Sequence, residues 1–419
     1  MNNRSVYVFF HNEQVLEPVL MGILQETLQR GKSIFSFEFD KFWLNNPIFQ
    51  IFDPNLSLFR GKQYAPTDKD NFGVFLDSTP DRWGRQLIDR RETILARKEG
   101  RPVIPRTELD YLLGVFDESR MGALRFKQSL DGDFIDNDKE LATPPWESLR
   151  KLEAASLKLE QDENSIDDRW LKMLLRPGSS LGGARPKANV VDEHGHLWIA
   201  KFPSKKDRKD VGAWETVCMT LAKKCGVETS DFKCIKLGSK YHTFLTKRFD
   251  RTENNVRKHF TSAMTHLDYN DGANGETGAS YLELVEWISE HCVNVQGNLE
   301  QLFKRIIFNI AISNCDDHLR NHGFLLTPKG WTLSPAYDLT PDEYGTELSL
   351  NINESEANLD YNLAREVAPY FGIAPSDANR IIKKTNDVVS KWQKVATDIG
   401  ISRSEQEFIA TAFRTKDGV

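Results

Sequence analysis

The chain has 419 residues, 28% of them charged and 39% hydrophobic, with a net charge of -6. That length exceeds one ordinary domain and predicts two or three packed lobes. The acidic balance excludes a protein built throughout to coat nucleic acid, although local basic surfaces survive the test. Five cysteines (Cys218, Cys225, Cys234, Cys292 and Cys315) form no C-x-x-C pair, and their odd number favours a reducing compartment over a disulfide framework. No apolar run approaches the roughly 18 residues of a membrane span, and the one near the N-terminus is too short for a signal peptide. The expectation is a soluble, cytoplasmic protein with no membrane contact.

In chain order, short aromatic or β-branched runs at Val6 to Phe10, Val19 to Leu24 and Ile34 to Phe39 predict an opening β-unit. Thr79 is the expected cap before Pro80 of a helix that carries Arg82, Arg85, Arg90, Arg91 and Arg97. Gly122 to Phe126 reads as a strand, Pro144-Pro145 as a boundary, and Trp146 to Leu159 as a helix. Apolar runs at Ala188 to Val191 and Leu197 to Phe202, separated by Glu193-His194-Gly195, predict a hairpin. A helix over Val211 to Cys225 and a second hairpin, Phe232 to Leu237 with Tyr241 to Thr246, follow. Beyond residue 278 the pattern is mostly helical: Leu282 to Ile288, Leu299 to Ile312, and about 358 to 371, 375 to 396 and 402 to 414.

The chemistry concentrates in the run Ile312 to Asn321, I-S-N-C-D-D-H-L-R-N. Asp316 stands five positions before Asn321, the D-x-x-x-x-N spacing of a kinase catalytic loop, and Asp338 follows 22 positions after Asp316. Phosphoryl transfer needs one carboxylate to accept the attacking hydroxyl's proton, plus an amide and a second carboxylate to hold Mg²⁺. Upstream, Ser179-Ser180-Leu181-Gly182-Gly183-Ala184-Arg185-Pro186-Lys187 joins small residues, which let backbone amides approach phosphates, to two cations. It is neither a Walker A nor a G-x-G-x-x-G loop, and a Gly-Gly pair before a strand is more often an ordinary turn.

Lys201 closes an apolar strand, where it reads either as a phosphate-binding lysine held by Glu215 on the next helix or as a surface lysine. Lys247-Arg248-Phe249 stands where a hinge would offer backbone groups, and one aromatic ring, to adenine. Asp316, Asp317, His318 and His322 have an alternative as a hydrolase metal site, and the two acids another as helix-end polar residues.

The motifs S-S-L-G-G-A-R-P-K, A-K-F-P, K-R-F-D-R, N-C-D-D-H-L-R-N-H and S-P-A-Y-D-L-T-P occur in the order seen in the HipA family of serine/threonine kinase toxins, and Phe75 to Arg85 resembles that family's N-terminal region. The resemblance covers nearly the whole chain. It implies an α+β, two-lobed kinase-like fold: an N-terminal subdomain (1–130), a β-rich nucleotide-binding lobe (145–250) and an α-helical catalytic lobe (251–419). It further implies ATP and Mg²⁺ as cofactors, Asp316 as catalytic base, Asn321 and Asp338 as metal ligands, and Lys201 on the ATP phosphates. Gly182, Gly183, Ala184, Arg185, Pro186 and Lys187 match the phosphate loop and Lys247, Arg248 and Phe249 the hinge. His318, Leu319, Arg320, Asn321, Tyr337 and Asp338 match nucleotide-contacting positions, and Ser180 matches a loop serine that such kinases phosphorylate on themselves, switching the enzyme off. A phosphate there adds about -1.5 to -2 charge to a loop built to meet ATP's own phosphates. Ser179 is adjacent and equally eligible.

Two departures bear on the hinge and the loop: Lys247 stands where a well-known branch has an acid, and Arg185-Pro186 replaces a polar-acidic pair. The implied partners are a small helix-turn-helix antitoxin (HipB-like), operator DNA reached through that complex, and a protein substrate, which in the best-known branch is the aminoacyl-tRNA synthetase for glutamate. Arg380, Lys383 and Lys384 on one C-terminal helix are the candidates for direct DNA contact, against the commoner reading of a solvated face. The alternatives are a kinase fold with weak or lost catalysis that serves the antitoxin–DNA complex, and a small-molecule or lipid kinase.

Overall fold

A computed structural model describes residues 2–15, 17–46, 52–137, 143–161, 174 and 183–415. Contacts gather the chain into two compact units, 1–205 with 250–261, and 206–249 with 262–419. The division read from sequence cut instead near 130–145 and at 250.

The first unit opens as expected with three antiparallel strands, β1 (Asn2–Phe10), β2 (Val19–Gln29) and β3 (Lys32–Phe39). With β4 (Gln63–Tyr64), β5 (Leu124–Lys127) and β6 (Phe134–Ile135) they form a sheet of order β4-β3-β2-β1-β5-β6. Val6, Val8 and Phe10 alternate inward along β1. Phe10 stacks on Phe52 at 5.1 Å, and Phe75 touches both Phe37 (5.3 Å) and Phe126 (6.3 Å), so the core is largely aromatic.

The arginine-rich helix spans Arg82–Glu99, and its cap is Asp81 rather than Thr79: the Asp81 side chain accepts the Gly84 amide, while Thr79 Oγ1 turns back to the Leu76 carbonyl. Trp146–Ser148 is a 3₁₀ turn leading into the helix Leu149–Gln161. The predicted hairpin is β7 (Lys187–Val191) paired with β8 (Leu197–Lys201), turning through Gly195 at φ 83°.

Arg120 is fully buried and donates to the carbonyls of Ser78, Leu112, Val115 and Ile135; burial pulls its guanidinium down to about 10. Arg251 and Arg257 add donors to the Arg120 carbonyl, and Asp250 accepts the Gly122 amide. Asp250 and Arg251, the last two residues of K-R-F-D-R, are therefore internal scaffolding. Gly122 (φ 74°) must be glycine, because a Cβ there would stand 3.2 Å from the Phe260 amide.

In the second unit the helix Val211–Cys225 has the predicted bounds, set by Asp210 as N-cap and by left-handed Gly226 after its end. β9 (Phe232–Ile235) pairs with β10 (Thr243–Lys247). After β11 (His259–Ser262), which belongs to the first unit up to residue 261, come the second unit's helices Tyr281–His291 and Val295–Ile312. A hairpin not expected in this mostly helical half follows, β12 (Gly323–Thr327) with β13 (Gly330–Leu333). The C-terminal helices are Tyr361–Val367, Pro375–Val389, Trp392–Ile399 and Arg403–Ile409. Among the described residues no helix is long and apolar enough to cross a membrane, and all five cysteines are free.

Candidate active site

The helix Val295–Ile312 delivers the acidic run. It ends where Ser313 takes a left-handed conformation (φ 48°) and the Asn314 amide returns to the Asn309 carbonyl at 2.9 Å. Asp316 and Asp317 thus lie beyond the helix in a turn, and their fates diverge. Asp316 is exposed. Asp317 is buried and its Oδ2 accepts from Tyr281 (2.6 Å), Asn309 (2.7 Å) and His322 (2.9 Å). Burial opposes its charge, but His322 foremost, with Tyr281 and Arg305, holds the carboxyl below its ordinary range.

The loop between Asp316 and Asn321 folds back on itself. The amides of His318 and Asn321 donate to the carbonyls of Asp316 (3.0 Å) and His318 (2.8 Å), and Asn321 Nδ2 donates to the Asp316 carbonyl at 2.8 Å. Because the amide nitrogen is committed there, the oxygen of Asn321 is turned away from that carbonyl, and it can only accept. The hairpin then returns the chain: the Ser334 amide bonds the Gly323 carbonyl (2.8 Å), and the Tyr337 hydroxyl bonds the Arg320 carbonyl (2.7 Å). Those ties set the segment carrying Asp338 beside the one carrying Asn321. Asp338 itself is held at φ 59°, an uncommon conformation for a non-glycine residue that concentrates at functional sites. Phe249 packs against Tyr337 with ring centroids 5.4 Å apart.

An amide oxygen and a carboxylate are hard donors that suit Mg²⁺. The hydrolase alternative loses its ligands, since Asp317 and His322 are spent on each other and no group of three or more His, Cys, Asp or Glu able to hold a metal occurs among the described residues. Cys315 is no nucleophile: burial, with Asp342 adding to it, pushes its thiol up to about 11. Beside Cys315 opens a cavity of about 460 Å³ lined by Asn274, Glu276, Gly345, Glu347, Ser349 and Asn351. The Ser349 hydroxyl fixes the Cys315 carbonyl at 2.6 Å, so this hollow borders the residue preceding Asp316.

The second unit therefore gathers Phe249, Asp316, His318, Leu319, Arg320, Asn321, Tyr337 and Asp338. Glu215 lies in the same unit, buried on its helix, as do Lys247, whose amide bonds the Asp231 carbonyl at 2.8 Å, and buried Arg248. The first unit holds Gly183, Ala184, Arg185, Pro186, Lys187 and Lys201. Ser180 and Gly182 lie outside the described residues. Lys187 is buried against Asp81 (2.8 Å), a pairing across more than 100 residues that leaves no local signature in the sequence. Arg380 is exposed and paired with Asp377 (2.7 Å), and exposed Lys383 is near it in sequence. The Lys384 ammonium lies against Gly226 at the C-terminal end of the Val211–Cys225 helix, where a cation complements the dipole.

A model of the HipA-like C-terminal domain matches residues 179–392, just over half of the chain. A putative kinase of Haemophilus influenzae is 26% identical over 179 residues, 38% of this chain and 52% of that protein. The serine/threonine-protein kinase toxin HipA of Shewanella oneidensis is 24% identical over 207 residues, 43% of this chain and 48% of that protein. The chain spans about half the length of these curated relatives. Its fold is similar to that of Shewanella oneidensis HipA solved with HipB and operator DNA: TM-score 0.67 at 17% identity, covering 98% of this chain and 95% of that one. By its matched domain, its fold and the order of its motifs, the chain belongs to the HipA-like family.

Proposed function

We propose that the protein is an ATP- and Mg²⁺-dependent kinase that phosphorylates a serine or threonine of a protein substrate, as the toxin of a toxin–antitoxin pair working in the cytoplasm. The observation that carries this reading is the folded Asp316–Asn321 loop. Its backbone is pinned by the Asn321 side chain and joined through Tyr337 to the segment bearing Asp338. Asp316 accepts the proton of the substrate hydroxyl as its oxygen bonds to the γ-phosphorus; the bond to the bridging oxygen breaks, and ADP leaves with that electron pair. Asn321 and Asp338 are the residues to hold Mg²⁺, which when bound neutralises phosphate charge and aligns the chain of phosphates. The role proposed for Lys201 is charge on the ATP phosphates, and that for Phe249 and Tyr337, which pack on each other, is ring contact with the base. The cavity beside Cys315 offers the substrate segment a place next to Asp316.

Labelled-ATP assays decide the matter. Asp316→Asn is expected to slow phosphoryl transfer by about 10²–10⁴-fold while nucleotide affinity holds, the range lost with a general base. An unaltered rate removes Asp316 from the role. Mass spectrometry after incubation with ATP is expected to find phosphate on Ser180 or Ser179, with activity falling as it accumulates. The partners proposed are a helix-turn-helix antitoxin and, through it, operator DNA, the company in which the Shewanella relative was solved. An aminoacyl-tRNA synthetase is the first substrate to try.

A further inference from the structure

The described end of the phosphate-loop segment and the Phe75 to Arg85 run, far apart in sequence, share one buried ion pair. Lys187 and Lys201 are direct cross-strand partners in the β7–β8 hairpin. Side chains opposite each other leave the sheet on the same face, where two like charges repel. Asp81 supplies the counter-charge to Lys187. Its Oδ2 lies 2.8 Å from Lys187 Nζ, with the two side chains only 1% and 4% exposed. A cation so buried needs its counter-charge. The same carboxylate caps the Arg82–Glu99 helix through the Gly84 amide at 2.8 Å, and Trp83 Nε1 donates to the Lys187 carbonyl at 3.1 Å. Gly183 completes the arrangement: at φ 96°, a Cβ there would stand 3.3 Å from Lys187 Nζ, so the ammonium packs under the loop's glycine.

We infer that Asp81 is a positioning residue for nucleotide binding: through Lys187 it fixes the Gly183–Lys187 part of the phosphate loop. This rests on the kinase reading above, and it gives a role to a residue outside the matched domain, 179–392.

Asn caps a helix as well as Asp does, so Asp81→Asn removes the ion pair while keeping the cap. Initial-rate kinetics with Mg·ATP are expected to show KM for ATP raised about tenfold and kcat within about threefold of the unaltered protein. Binding of a fluorescent ATP analogue is expected to weaken in parallel. Asp81→Asn with Lys187→Met, which leaves no unpaired charge, is expected to melt no lower than Asp81→Asn alone yet to bind ATP no better. The two losses are then shared rather than summed. An unchanged or lowered KM in Asp81→Asn, or full recovery of affinity in the double variant, overturns the inference while the kinase reading stands. A protein that neither binds the analogue nor turns over ATP overturns both.

Discussion

At the scale of single residues, two adjacent carboxylates meet opposite surroundings, Asp316 exposed and Asp317 buried. Asp317 anchors the loop: Tyr281, Asn309 and His322 all donate to one of its oxygens in the interior. Asp317→Asn substitutes a neutral amide for the acceptor and is expected to cost about 2–4 kcal/mol in denaturant unfolding, the range for a buried charged network that loses one member. Asp316→Asn, at an exposed position, is expected to stay within about 0.5 kcal/mol of the parent. The sign in pH follows from the depressed Asp317 carboxyl. Its stabilisation is fully present above the unfolded-state value near 4 and is lost as pH falls below that toward the folded value. Acid unfolding curves of the parent and Asp317→Asn should converge toward low pH. Spacing alone singles out Asp316 and Asn321, because a five-residue interval survives in any fold. What spacing does not carry is burial, so Asp317 read as a metal ligand of the hydrolase alternative or as a helix-end acid, and Asp81 as a residue within a motif.

Elements were legible where caps and periodicity agree. The Val211–Cys225 helix is bracketed by Asp210, which accepts from Ala213, and by Gly226 at φ 89°, and both signals stand in the sequence. The run read as one helix over 375–396 is two, broken at Ser390-Lys391. The buried positions Ala378, Ile382, Thr385, Val389, Trp392 and Val395 keep a three- or four-residue step across the break, so periodicity is blind to it. The β12–β13 hairpin was missed because its apolar strands follow a helical stretch; Pro328-Lys329-Gly330 was the available turn signal, with Gly330 at φ 129°. One aromatic cluster fastens these pieces. Trp214 stands 5.9 Å from both Trp392 and Phe413, which stack on each other at 4.3 Å, and its indole nitrogen donates to Glu405 at 2.9 Å. Trp214→Ala is expected to cost about 3–5 kcal/mol by urea unfolding. Trp214→Phe, which keeps a ring and loses the hydrogen bond, is expected to cost about 1–2 kcal/mol. Equal losses would mean that the ring contacts contribute little.

At the scale of the molecule, local pattern says that strands precede helices but not which compact unit a segment joins. Residues 250–261 follow a hairpin of the second unit yet belong to the first. The cause is long-range: Arg251 and Arg257 satisfy carbonyls near residues 118–122, and His259 packs against Phe10 (5.4 Å) and Phe52 (4.4 Å). In sequence those arginines look like a solvated loop, since pairing with distant carbonyls leaves no local signature. The histidine makes the allegiance measurable. Burial drives its imidazole from 6.5 down to about 3, so the folded state keeps it neutral where the unfolded chain protonates it. A folded value below the unfolded one means stability is complete above pH 6.5 and falls by about 1.4 kcal/mol for each unit from there down to about pH 3. Between pH 7 and pH 5 that amounts to about 2 kcal/mol from this one group. His259→Gln cannot titrate, so urea unfolding at the two pH values should show the parent losing about 2 kcal/mol more than the variant. Parallel losses would mean that His259 is open to protons in the folded chain, and that residues 250–261 are not sealed into the first unit's core.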